Sequence, residues 1–159
     1  MDDNLHRLIG VTNMYFREIT MREATKMGMR SGEPMVMEYV YNHDGCSQVD
    51  ICNAWSLEKS NVSEKVSTLM KRGLLKRKKS KVDKRKKVLS ITEEGRQIWA
   101  PTQEVLDAMN AFAWRGIDQD SRATFLNVLE QVNTNMLELL ETQEEDTEED
   151  EEDEEDDDE

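Results

Sequence analysis

The chain has 159 residues, of which 21 are Lys or Arg and 35 are Asp or Glu, and it carries a formal net charge of −14 at pH 7. This length is sufficient for one domain with a sizeable core. No apolar run approaches the ~20 residues that span a bilayer, and two cysteines do not make a disulfide framework. The content of only 2 Pro and 7 Gly favours a mostly helical fold. The acidic N-terminus lacks the basic and apolar regions of a signal peptide, so we expect a cytoplasmic protein.

The charge is distributed unevenly along the chain. Residues 141–159 contain 16 acidic residues and no Lys or Arg, whereas residues 71–87 contain 11 Lys or Arg against the single acid Asp83. Residues 1–140 alone carry a formal charge of +2. Dense like charge without apolar residues predicts a disordered acidic tail over 142–159. The overall negative charge therefore does not exclude a nucleic-acid partner.

The first third of the chain contains three predicted helices. Apolar residues at helical spacing predict a helix over 4–26, which a Gly-containing segment at 27–32 interrupts. Pro34 suits the first turn of a second helix, over 34–42. Ser47 is a predicted N-cap, and Asp50 completes a capping box for a short helix over 48–55.

The middle and end of the chain combine helices with a basic hairpin. Val62, Val66 and Leu69 form the buried stripe of a helix over 59–72, and Gly73 suits the left-handed residue that follows it. Short strands are predicted at 74–78 and 86–91, joined by a basic turn. Thr92 begins a long helix that Pro101 should kink or divide. A last helix begins at Asp120 or Ser121.

A short helix, a turn, a longer helix with a polar outer face and a basic hairpin together predict a winged helix-turn-helix. The second helix of this motif enters the major groove of DNA, where base edges present distinct donor and acceptor patterns. The basic hairpin, or wing, contacts the backbone and the minor groove. The predicted DNA-binding residues are Lys59, Ser60, Asn61, Ser63, Glu64, Lys65, Ser67, Thr68 and Lys71 on the helix and Lys79, Lys81, Asp83, Lys84, Arg85 and Lys86 on the wing.

Residues 46–95 resemble the MarR family of transcriptional regulators. Residues 57–63 match its turn into the recognition helix, residues 69–75 match its L-x-x-x-G-L-V pattern, and residues 83–95 match its D-x-R wing followed by L-T-x-x-G. The resemblance implies a mainly α (α+β winged-helix) domain over 1–141, with a DNA-binding lobe at about 34–91. It also implies a homodimer joined through helices at about 4–27 and 92–141, bound to a pseudo-palindromic operator in double-stranded DNA.

Individual residues of the wing and of the turn before the recognition helix have specific predicted roles. Arg85 is the predicted minor-groove probe, with Asp83 holding its guanidinium in one orientation. The alternative is that these residues form an ordinary charged turn, where Asp is common. Ser56 stands where the family frequently has Gly, which predicts a less tight turn.

Methionine is concentrated in the first part of the chain, with six of the 10 between Met14 and Met37. Core filling is the simplest explanation, because Met adapts to irregular gaps. The family resemblance suggests instead an apolar pocket for a small lipophilic or phenolic effector. Its predicted lining residues are Met27, Met29, Met35, Met37, Tyr39 and Trp55.

Other chemistries have weaker support. Cys46 and Cys52 are expected to be small buried hydrophobes rather than redox sensors. His6 and His43 lack the spacing of a metal site, and no nucleophile–base pattern or phosphate loop is present, so we expect no metal, no cofactor and no enzyme.

The sequence therefore predicts a homodimeric repressor of bacterial or archaeal type, associated with the nucleoid and released by an effector. The alternative is a chromosome-associated or protein-binding module without effector response; an antagonist that mimics DNA through the acidic tail would leave the wing unexplained. The tail itself has three interpretations: a solubilising appendage, a competitor of DNA for the wing, or a docking site for a basic protein.

Overall fold

The computed structural model describes residues 4–79 and 87–155, with side chains described as far as residue 142. Within these ranges the chain forms six helices and one two-stranded antiparallel sheet, which confirms the mainly helical winged-helix fold. The elements are α1 (Leu5–Lys26), α2 (Glu33–Asn42), α3 (Gln48–Trp55), α4 (Lys59–Lys71), β1 (Leu75–Lys79), β2 (Lys87–Ile91), α5 (Glu93–Ala113) and α6 (Gln119–Glu155).

Local sequence signals define where the first three helices begin. The Asn4 side chain accepts a hydrogen bond from the Arg7 amide at 2.9 Å, and Pro34 lies in the first turn of α2. Ser47 and Asp50 form the predicted capping box: the Asp50 amide donates to Ser47 Oγ at 3.2 Å, and the Ser47 amide donates to Asp50 Oδ2 at 2.7 Å. These contacts satisfy amides that have no partner within the helix.

The core of the first unit, residues 1–112, lies among α2, α3, α4, the sheet and α5. The predicted stripe of α4 is fully buried, and Trp99 of α5 is the largest fully buried side chain. The remaining apolar core residues are Ala24, Met29, Val36, Met37, Val40, Cys46, Ile51, Leu74, Leu75, Leu89, Ile91 and Leu106.

The second unit, residues 113–159, consists chiefly of α6. Asp118 precedes the helix and accepts hydrogen bonds from the Ser121 amide at 2.9 Å and the Ser121 hydroxyl at 2.7 Å. Both bonds favour the ionised carboxylate and lower the pKa of Asp118. Trp114 packs edge-on against Phe125 and also carries the guanidinium of Arg122 on its ring.

Most predicted boundaries agree to within a residue, and three features of the elements differ from the sequence prediction. The first strand begins at Leu75 rather than residue 74, because the Leu74 amide closes the end of α4 by donating to the Leu69 carbonyl. Pro101 does not divide α5, which continues from Glu93 to Ala113. Helix α6 continues to Glu155, where the sequence predicts a disordered tail from residue 142. Glu is a strong helix former, and a preceding helix removes the cost of nucleation.

Candidate nucleic-acid interface

The turn between α3 and α4 is held by Ser56 in a left-handed conformation. Its φ and ψ are 47° and 52°, and it is the only non-Gly residue with positive φ in the described part of the chain. The amides of Ser56 and Leu57 both donate to the Cys52 carbonyl. Ser56 thus takes the left-handed conformation that Gly adopts without strain. The turn therefore keeps the backbone conformation of a Gly-containing turn, although Ser at this position predicted a less tight one.

The outer face of α4 presents most of the predicted DNA-binding residues to solvent. Six small or charged side chains of this face and the preceding turn are exposed: Lys59, Ser60, Ser63, Glu64, Ser67 and Lys71. Asn61 is also exposed, and Thr68 is half-buried with its hydroxyl donating to the Glu64 carbonyl at 3.1 Å. The face therefore offers hydroxyl, amide and ammonium groups in the sizes that fit a DNA groove.

Lys65 differs from the other predicted residues of α4. Its side chain is only 22% exposed, and its Cε lies 3.1 Å from the point that a Cβ on Gly32 would occupy. The ammonium lies 3.3 Å from Glu64 Oε1. Because the aliphatic part of Lys65 covers the Gly32 backbone, this residue faces the body of the protein rather than the outer face.

The basic hairpin forms a regular antiparallel ladder from Leu75–Ile91 to Lys79–Lys87. Lys76, Arg77, Lys78 and Lys79 are all exposed on β1. The predicted wing-tip residues Lys81, Asp83, Lys84, Arg85 and Lys86 lie outside the described residues, so the pairing of Asp83 with Arg85 stays a prediction.

The base of the hairpin is fixed to the segment after α2. The Gly45 amide donates to the Leu89 carbonyl at 2.9 Å, and the Leu89 amide donates to the Cys46 carbonyl at 2.7 Å. Asp44 accepts a hydrogen bond from the Ser90 hydroxyl, and this bond, aided by Lys78 at 4.0 Å, lowers the pKa of Asp44. β2 is therefore hydrogen-bonded on both edges, which positions the basic strands relative to the rest of the lobe.

The L-T-x-x-G part of the wing pattern has a structural explanation at the junction of α4, β1 and α5. The Thr92 hydroxyl donates to the Gly73 carbonyl at 2.7 Å and accepts from the Gly95 amide at 2.9 Å. Gly73 has φ +74° and closes α4 as predicted. A Cβ on Gly95 would lie 2.1 Å from the Leu74 carbonyl oxygen, so this position has no room for a side chain.

A partly buried ion pair joins the end of α4 to the first residue of α2. Arg72 Nη1 donates to Glu33 Oε2 at 3.0 Å, and Arg72 Nη2 donates to the Met27 carbonyl at 3.0 Å. The Glu33 side chain is only 2% exposed and also accepts from the Arg30 amide. Sequence reasoning did not single out this pair.

A cavity of about 880 Å³ lies beside α4 within the first unit. Of the six predicted pocket residues, Met35 and Trp55 line it. Met29 and Met37 are buried in the core instead, in line with the core-filling explanation, and Met27 lines a smaller cavity between α1 and α5. Tyr39 stacks on His43 with ring centroids 4.4 Å apart.

Cys46 is buried and Cys52 is half-buried. Burial, with a smaller contribution from Asp50, raises the pKa of the Cys46 thiol to about 11, which keeps it in the unreactive protonated form. Within residues 4–79 and 87–155, no group of three or more His, Cys, Asp and Glu residues has the arrangement of a metal site. Over the same ranges, none of the helices combines the length and the hydropathy that crossing a membrane requires.

The family model of the MarR family matches residues 27–86, which include α2, α3, α4 and β1 and end just before β2. These residues are similar to the MarR family and lie on a winged-helix fold. No curated protein matches the sequence significantly.

Solved structures of other proteins share this fold. A MarR family transcriptional regulator from Listeria monocytogenes in complex with 26mer DNA is 24% identical, with a TM-score of 0.73 over 86% of this chain and 90% of that one. CouR from Rhodococcus jostii RHA1 bound to p-coumaroyl-CoA is 21% identical, with a TM-score of 0.71 over 82% and 92%. A SlyA-like transcription regulator from Listeria monocytogenes is 25% identical, with a TM-score of 0.66 over 86% and 90%. The chain thus shares the fold of these regulators.

The match to the MarR family model covers the region in which sequence motifs are dense, but not the α1 and α5 residues that line the cavity. Arg17, Glu38 and Asp107 line the cavity from α1, α2 and α5. No motif joins these three residues in the sequence. The only sequence signal for these residues is that each charged side chain lies next to the apolar stripe of its own helix.

Proposed function

We propose that the protein is a homodimeric transcriptional regulator that represses genes by binding a pseudo-palindromic operator and is released by a small-molecule effector. The observation that carries this proposal is the exposed polar face of α4 beside the basic strand β1, on a winged helix similar to the MarR family. The relative from Listeria monocytogenes that is complexed with 26mer DNA supports DNA as the partner.

The DNA contacts follow from the chemistry of each surface. α4 would enter the major groove, where Ser60, Asn61 and Ser67 offer donors and acceptors to base edges and phosphates. The wing, beginning at Lys79, would follow the backbone into the flanking minor groove. With 11 Lys and Arg in residues 71–87, binding should weaken steeply as salt rises.

Exposed apolar side chains on two helices support dimerisation. On α1, Leu5, Leu8, Met14 and Tyr15 are each about half exposed or more. On α6, Phe125, Val128, Met136, Leu137 and Leu140 are likewise exposed. Such apolar surface on two long helices favours burial against a second copy of the chain.

The experiment that tests this function is selection of bound sequences from a random DNA pool, followed by footprinting on the selected site. We expect one protected palindrome, whereas uniform coating would support the chromosome-associated alternative. Asn61→Ala should reduce discrimination between the selected site and random DNA by about 1–3 kcal/mol if Asn61 contacts a base. The matched control Asn127→Ala, on exposed α6, should leave discrimination unchanged.

The acidic C-terminal segment remains open to the three interpretations given above. Truncation after Glu141 removes 15 of its 16 carboxylates. If these groups compete with DNA for the wing, non-specific DNA binding of the truncated protein should tighten, most strongly at low salt. Unchanged non-specific affinity would exclude the competitor and leave the solubilising and docking roles.

The cavity beside α4 is the proposed effector site. Phe16, Trp55 and Met35 supply apolar and aromatic lining, and Asn61 of α4 lies on its wall. The relative bound to p-coumaroyl-CoA supports small-molecule binding by this fold. With genomic DNA as partner, the protein would act in a bacterial or archaeal cytoplasm, at the nucleoid.

A further inference from the structure

Two carboxylates line one part of the 880 Å³ cavity. Glu38 belongs to α2 and Asp107 to α5, and both side chains contribute to the cavity wall. Burial raises the pKa of Glu38, and the nearby charge of Asp107 raises it further. Glu38 is half-buried and Asp107 is exposed, and the two carboxylates are close enough to repel each other.

Neither carboxylate has a cationic partner within the described residues. Asp107 Oδ1 accepts a hydrogen bond from Gln103 Nε2 at 3.0 Å, and no Lys, Arg or His of the described chain lies within ion-pair distance of either carboxylate. Ionised carboxylates in such a setting are stabilised by an opposite charge. The described residues supply none at this point.

The cationic residues of the cavity lie elsewhere on its wall. Arg17 Nη2 donates to Ser31 Oγ at 3.5 Å, and Lys65 covers Gly32 and pairs with Glu64. Gly32 precedes α2, and Glu38 follows six residues later, which corresponds to about 9 Å along the helix axis. The cations near residues 31–32 therefore do not neutralise Glu38 and Asp107 directly.

We propose that this cavity binds an organic cation, with a protonated or quaternary nitrogen set against Glu38 and Asp107. The apolar body of the cation would contact the aromatic and Met side chains of the wall, whose ring faces also attract positive charge. These side chains are Phe16, Met21, Met35, Trp55 and Met109. The inference rests on the proposed function only where it identifies the bound cation as the effector. The lipophilic or phenolic class expected from the sequence stays a separate prediction.

A ligand in this position would also contact the helix that is proposed to bind DNA. Asn61, Val62 and Lys65 of α4 line the same cavity. Because the ligand and the DNA would then contact one helix, cation binding should change operator affinity through the position of α4.

The test uses two xanthene dyes of similar shape and opposite charge, the cation rhodamine 6G and the anion fluorescein, with the full-length protein. Fluorescence polarisation is measured in about 1 M salt, where a Debye length of about 3 Å screens the acidic tail. Rhodamine 6G should bind and raise the midpoint of thermal unfolding, and fluorescein should do neither. The isosteric double variant Glu38→Gln/Asp107→Asn should bind rhodamine 6G at least about ten-fold more weakly, because the charge contact with half-buried Glu38 and its neighbour Asp107 is lost.

The matched control is Glu104→Gln/Asp120→Asn, which makes the same charge change at exposed positions outside the cavity wall. This control should bind rhodamine 6G within about two-fold of the wild type, since neither residue belongs to the cavity wall. Equal losses in the two double variants, or equal binding of the two dyes, would overturn the proposal. If the protein binds rhodamine 6G but selects no operator, the proposed function is refuted and the cation site is not. If it binds an operator but not the dye, the cation site is refuted and the proposed function is not.

Discussion

Gly95→Ala tests the close packing between α5 and the start of the wing. A Cβ at this position would lie 2.1 Å from the Leu74 carbonyl oxygen, 2.9 Å from its carbonyl carbon and 3.0 Å from Ile91 Cγ1. The first two atoms belong to the backbone, so no rotation of a side chain can relieve the overlap. The Leu74 carbonyl also accepts hydrogen bonds from the Thr92 amide at 3.0 Å and the Thr92 hydroxyl at 3.1 Å.

The size of the effect follows from these contacts. Overpacking costs about 1–3 kcal/mol, and weakening two hydrogen bonds adds about 1 kcal/mol for each. We therefore expect Gly95→Ala to lower the free energy of unfolding by about 3–5 kcal/mol. Urea denaturation followed by circular dichroism measures this value.

Gly10→Ala is the matched control because Gly10 lies within α1 with no atom near its Cβ position. This change should stabilise the protein by up to about 1 kcal/mol through helix propensity. An unfolding midpoint of Gly95→Ala equal to that of the wild type would refute the argument from close packing.

Three further changes test other parts of the fold. Ser56→Gly should stabilise the protein by about 1 kcal/mol, because Gly adopts φ 47° without strain; a destabilised variant would show that the Ser56 side chain matters more than its backbone. Arg72→Met should cost about 3–5 kcal/mol by leaving buried Glu33 without a counterion, whereas Arg22→Met, which removes an exposed ion pair with Glu18, should cost less than about 1 kcal/mol in the same urea titration. Because the pKa of Glu38 is raised in the folded protein, the wild type should lose stability relative to Glu38→Gln as pH rises from the usual Glu value through the raised one. Thermal unfolding at acidic and neutral pH measures this difference, and a difference that does not grow with pH would contradict it.

The parts of the fold that were predictable from sequence depend on residues close together in the chain. Ser47 and Asp50 form a capping box within four residues, and Gly73 follows the last turn of α4 as its left-handed closing residue. The buried positions of Val62, Val66 and Leu69 follow from helical periodicity alone. In each case the physical cause acts within one or two turns of helix, so the sequence contains it in full.

Lys65 shows where this local reasoning fails. It lies beside the buried stripe of α4, and its charge suggests an outward, DNA-facing position. In the structure its aliphatic stem covers Gly32, a residue from another part of the chain that the α4 sequence cannot reveal. The pairing of Arg72 with Glu33 and that of Glu38 with Asp107 also join distant residues, which is why neither pair was predicted.

In the proposed regulator, residues on different helices would determine how tightly the effector binds and how strongly the bound effector changes DNA binding. Glu38 and Asp107 lie on α2 and α5, so they would supply the charge that holds a cation without moving with α4. Asn61 and Lys65 lie on α4. Their contacts with the ligand would therefore differ between the DNA-bound and the released positions of this helix. A ligand shifts a conformational equilibrium only by its difference in affinity for the two states. The carboxylates would therefore determine which molecules bind, and the two α4 residues would determine whether binding releases DNA.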